Sequence, residues 1–205
     1  MTADILDVPP RPSRPQNSYW QPISTIGFVA TLAGCGWLFF LLANDEDSFL
    51  MVLDSVNLVT HEFGHPLLGI FGEWPMWWGG TIMQLLVPAV VAFAFWFQRS
   101  ALSLAIAGVW FFENFLNIAR YIADARAQEL PLAGGGEHDW TAILTKHDLL
   151  FKDTQIADTV NAIGWLGMFG CVGFAAIAWA LQQRAKEPVV LTAPYDANLS
   201  ELRRR

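Results

Sequence analysis

Long apolar runs broken by short polar stretches dominate the chain between residues 23 and 181. Residues 23–43, 101–119 and 163–181 reach the length of about 17–25 apolar residues that crosses a bilayer as a helix, and 81–97 stands at the short end of that range. Between the first and second of these in chain order lies 48–72, which is apolar on most sides but not all. Asp54, Asn57, His61, Glu62 and His65 recur at helical spacing and make one polar stripe, while Phe49, Leu50, Val52, Leu53 and Val56 cover the remainder. Pro66 removes a backbone donor and strains the carbonyl of Glu62, so a kink is expected there, and Gly69 and Gly72 weaken the helix further. The pattern predicts an all-α, polytopic membrane protein: four transmembrane helices plus one kinked or re-entrant helix.

The segments around these helices have their own signatures. Residues 1–22 hold Pro9, Pro10, Pro12, Pro15 and Pro22 and read as an extended, disordered cytoplasmic tail. Residues 73–80, with Trp74, Trp77 and Trp78, read as a turn at the membrane–water interface. The run beginning at Ala101 turns polar at Glu113; Glu113, Asn117, Arg120 and Asp124 share a helical face, with Asn114 and Tyr121 on a neighbouring strip. That face is either an interfacial helix end with an Arg120–Asp124 pair or the wall of a polar cavity. Glu113, well inside the apolar zone, favours the wall, since an ionisable group in a span is costly and usually functional. Residues 127–160 form a polar loop with Gly134, Gly135 and Gly136, followed by amphipathic helices expected at 141–150 and 153–161. Residues 182–205 form a basic, flexible tail, leaving 23–181 as the helical membrane domain.

Basic residues suggest an orientation. If 48–72 dips and returns, Arg11, Arg14, Arg99, Arg184, Lys186 and the three terminal arginines share one side, opposite Arg120, Arg126, Lys146 and Lys152. The expectation is an integral protein of a bacterial inner membrane with both termini cytoplasmic.

Composition sharpens this picture. Hydrophobic residues make up 54% and charged ones 15%, outside the usual range of soluble domains. The net charge of −7 is scattered through the loops, and no basic patch points to nucleic acid. Cys35 and Cys171 fall within spans and act as small hydrophobes, without a disulfide framework.

The chemistry concentrates in His61-Glu62-Phe63-Gly64-His65. On a helix His61 and His65 lie one turn apart on one face, so both imidazoles reach a single ion. Glu62, about 100° round the helix from His61, can act on water beside that ion without being a ligand.

This H-E-x-x-H stretch, with Gly64 before the second histidine in an early membrane helix, resembles the site-2-protease type of membrane-embedded zinc metalloprotease. The resemblance implies zinc held by His61 and His65, and Glu62 as the base of peptide hydrolysis in or near the bilayer. The family's second motif, an Asp-Gly pair on a later membrane segment, has no counterpart here. His138 and Asp139 are the favoured source of the third ligand, because the glycines before them would let the loop fold over the membrane face. Asp139 could instead orient a ligand imidazole, and Glu113 would complete a His₂Glu set. Asn114 and Asn117 are candidates for steadying an oxyanion. Two kinds of partner follow besides the lipid bilayer. One is a membrane protein substrate. The other is a larger membrane complex, respiratory or photosynthetic, in which this chain is a non-catalytic subunit with a vestigial or structural metal site.

Overall fold

The computed structural model describes residues 20–44, 50–132 and 137–186. The Pro-rich tail through residue 19, the acidic stretch 45–49, the Gly134–Gly136 segment and the basic tail from residue 187 lie outside the described residues, and with them the expectations placed there.

Among the described residues the chain is helical, without strands. Helix α1 is Thr25–Asn44, α2 Met51–Gly69, α3 Glu73–Phe97, α4 Ala101–Ala123, α5 Asp139–Lys146 and α6 Asp153–Lys186, with a 3-10 turn at Leu150–Lys152. Helices α1, α3 and α4 and the stretch Leu150–Ala185 are long and apolar enough to cross a membrane. The protein is an all-α polytopic membrane protein, as the hydrophobic pattern predicts.

Two local expectations are corrected. Residues 73–80 form no turn; they are the first two turns of α3, because the reversal is completed earlier, at Gly72, whose φ of +118° is open to glycine at little cost. The amphipathic helix expected at 153–161 and the span 163–181 are one helix of 34 residues, α6, with no break at Gly164 or Gly167. Those glycines are contact points instead. A Cβ on Gly164 would lie 2.3 Å from the Leu116 side chain, and one on Gly167 would lie 2.1 Å from the Phe112 ring. Small residues thus let α6 lie against α4, the usual device where no water drives helices together.

Chain connectivity places α2. Gln21 N–H donates to the Arg99 carbonyl (2.8 Å) and Ile23 N–H to Gln182 Oε1 (2.8 Å), so the start of α1, the α3–α4 turn and the end of α6 meet at one end of the bundle. Helix α1 then runs to the far end, where Leu42 joins Leu116, Met168 and Leu50 in one apolar cluster. The α2–α3 turn, the end of α4 and α5 also lie at that end, around Ile122, Trp140, Ile143 and the three tryptophans of early α3. Helix α2 therefore begins and finishes toward the same end of the four-helix bundle as one continuous helix, with Pro66 inside it.

Candidate metal centre

The polar stripe of α2 orients the site. Asp54, Asn57 and His61, three and four residues apart, all point inward and are buried. Asn57 donates to Glu113 Oε2 (2.9 Å) and accepts from Trp110 Nε1 (2.9 Å), and Asp54 accepts from Asn117 and from the Leu50 N–H. These bonds to α4 set the rotation of α2 about its axis. Arg120 lies within electrostatic reach of both Asp54 and Glu113.

Further along α2 the partner is α3, and contact is between backbones. A Cβ on Gly64 would sit 2.0 Å from the Gly79 carbonyl oxygen, and one on Gly79 would sit 2.4 Å from that of Gly64. Gly80 leaves the space that the His61 imidazole fills, since a Cβ there would lie 2.4 Å from His61 Nε2. Close approach brings α3 acceptors to both rings. His61 Nδ1 lies 3.2 Å from Gln84 Oε1, and His65 Nδ1 lies 2.9 Å from the Met76 carbonyl oxygen.

Opposite the other ring nitrogens stands Asp139, the first residue of α5. Its Oδ2 lies 3.1 Å from His61 Nε2 and 3.3 Å from His65 Nε2. Candidate ligand atoms of His61, His65 and Asp139 fall within 4.8 Å of one another, and this is the group of its kind among the described residues. A carbonyl oxygen only accepts, so His65 Nδ1 carries the hydrogen, and Gln84 Oε1 holds His61 in the same tautomer. In the neutral rings both Nε2 lone pairs then face a carboxylate oxygen. A cation shared by the three atoms reconciles these facing acceptors, and so does a proton on an imidazole Nε2, which makes the His61–Asp139 contact a hydrogen bond. Ligand atoms of a tetrahedral ion at about 2.0–2.2 Å stand roughly 3.3–3.6 Å apart. The His65–Asp139 distance of 3.3 Å falls in that range and the His61–Asp139 distance of 3.1 Å just below it, so the three residues could hold a metal ion.

The other sequence candidates are placed elsewhere. His138 caps α5: its Nδ1 accepts from Thr141 N–H (3.3 Å) and its Nε2 lies 3.4 Å from Asp124 Oδ2. Burial pushes the His138 imidazole below its usual range, which keeps it neutral as a cap requires. It stands beside the ligand group and outside it. Glu113 is engaged by Asn57, and Asn114 donates to the Trp110 carbonyl of its own helix (2.8 Å), both fully enclosed. Asn117 lines a cavity near His61, and its amide donates to Asp54. Asp124 accepts from the backbone N–H groups of Glu129 (2.8 Å) and Leu130 (3.2 Å) and so folds the chain back toward α5. Gln84, the Met76 carbonyl, Gly79, Gly80 and Tyr121 were not among the predicted site residues. A glutamine in a short apolar span and a glycine pair beside it were the available signals.

Glu62, half-buried, lines two adjoining cavities of about 220 and 390 Å³. His61, Glu62, Tyr121 and Leu132 form their common wall. The inner cavity continues past Leu58, Ile118 and Leu130; the outer holds His65 and Asp139 and opens past Glu73, Trp77 and Glu137. A carboxylate, a candidate ion site and an apolar groove thus meet at one place.

Compared with family models, characterised proteins and solved structures, the chain matches none.

Proposed function

We propose that this protein is a membrane-embedded zinc hydrolase of the metalloprotease kind, cleaving peptide bonds in or near the bilayer. The observation that carries the reading is the opposition of two Nε2 atoms to one Asp139 oxygen, with both Nδ1 atoms held by α3 acceptors. His61, His65 and Asp139 would hold the ion. When bound, zinc supplies Lewis acidity, lowering the pKa of water and polarising a carbonyl.

The chain's own groups do the rest. Glu62 takes a proton from water as its oxygen bonds to the carbonyl carbon, then passes that proton to the departing nitrogen as the C–N bond breaks. The products are a carboxylate and an amine. Leu58, Ile118, Leu130 and Leu132 offer apolar surface to the residues flanking the scissile bond and exclude water from it. A site at one end of the bundle suits a segment that partly leaves the bilayer, where an extended peptide backbone can be exposed to attack.

The test is metal content beside turnover, in detergent, of a quenched peptide with an apolar core. Wild type should hold one zinc and cleave, Glu62→Gln should hold zinc and not cleave, and His61→Ala should do neither. Wild-type protein without zinc, or cleavage by Glu62→Gln, would overturn the reading.

A further inference from the structure

Hydrolysis by such a site leaves negative charge on the former carbonyl oxygen, and a fixed hydrogen-bond donor there is among the strongest aids a protein can supply. The asparagines of α4 are not placed for it, since Asn114 is fully buried and lines neither cavity, and Asn117 lines only the inner one, away from His65 and Asp139. Tyr121, four residues beyond Asn117 on the same helix, is differently placed. It belongs to the wall shared by both cavities, with His61 and Glu62. Its ring meets the His61 ring edge-on at 5.7 Å and lies against the His138 ring at 4.0 Å, which holds it in position from two sides.

Its oxygen accepts from the Asp139 N–H at 3.4 Å. That contact uses a lone pair and leaves the phenolic proton, for which no acceptor is found among the described residues. Thr81 has the other uncommitted hydroxyl of these cavities, but it lines only the inner one, away from His65 and Asp139.

On the hydrolase reading above, we propose that Tyr121 donates its phenolic hydrogen bond to the oxyanion formed from the scissile carbonyl. The donor is fixed before substrate arrives, so no reorganisation is needed when charge develops. Glu62 handles the proton of the attacking water, Tyr121 the charge on the carbonyl oxygen, and the two act from one wall. No proton leaves Tyr121.

Tyr121→Phe removes the hydroxyl and keeps the ring that packs on His61 and His138. The probe is an N-phosphoryl leucyl dipeptide amide, whose tetrahedral, charged phosphoryl group resembles the oxyanion. Its binding to zinc-loaded protein is measured by calorimetry beside zinc content, thermal midpoint and peptide turnover. The expected result is binding weaker by about 100-fold in Tyr121→Phe, a similar fall in kcat with KM little changed, and unaltered zinc content and midpoint. Glu62→Gln, which retains the phenol, should still bind the probe while failing to cleave. Equal binding by Tyr121→Phe and wild type overturns the proposal. So does loss of zinc from Tyr121→Phe, which would mean that the phenol only positions Asp139. Failure of zinc-loaded wild type to bind the probe or cleave is a different pattern; it overturns the hydrolase reading and the role of Tyr121 with it.

Discussion

Each of the two candidate imidazole ligands depends on an α3 atom that carries no charge and is not itself a ligand candidate. Gln84 Oε1 and the Met76 carbonyl oxygen fix the tautomers, and Gly80 supplies the room for an imidazole. Replacing Gln84 by Leu removes one acceptor and nearly preserves volume. Zinc affinity, read by competition with a chromophoric chelator, is expected to fall about 10–100-fold while the helical content in circular dichroism stays unchanged. Gly80→Ala should be harsher, because the new methyl falls on His61 Nε2 itself. Zinc retained at wild-type affinity in Gly80→Ala would show that His61 does not need that position. At this scale His61, Glu62 and His65 were legible in the sequence, since one turn of helix relates them. Which later residue completes the set was not. His138 and Asp139 are neighbours in the chain, and only the direction of the first turn of α5 separates a cap from a ligand candidate.

The helix pair α2–α3 is the element on which the site depends. Its glycines allow carbonyl-to-backbone contact, so a methyl at Gly64 meets the Gly79 carbonyl with nowhere to go. Gly64→Ala should lower stability by about 1–3 kcal/mol, read as a lower thermal midpoint, and loosen zinc as α3 moves its acceptors away from both rings. Helix α5 offers a complementary test. His138→Asn keeps a residue type that caps well, so zinc content should match wild type, whereas Asp139→Ala should abolish binding. Zinc lost in His138→Asn would return that imidazole to the ligands. The polar stripe of α2 and the polar end of α4 could be read from their spacing. Residues 73–80 could not: three tryptophans suit an interface whether the backbone turns or coils, and the α2 backbone against which Gly79 packs belongs to another segment.

For the molecule as a whole, the four long apolar helices put the α3–α4 turn and the α5 region at opposite ends of the bundle. A cysteine at Gln98 and one at Asp148, each in a background with Cys35 and Cys171 replaced by Ala, should react with a membrane-impermeant maleimide from opposite sides of sealed vesicles. Labelling of both from one side would end the four-span arrangement. Exposed Ile26, Val29, Phe93, Ile106 and Leu166 agree with it, being surface that lipid covers at no cost. The sequence by itself determined the helical class, the number of long apolar helices and the pairing of His61 with His65, because these follow from hydrophobic length and from periods of 3.6 residues. Tertiary structure alone decided that Asp139 closes the group, that α3 holds both rings and that Glu113 is turned away. Each of those is a contact between segments distant in the chain, set by where glycines allow backbones to meet, and no local period encodes it.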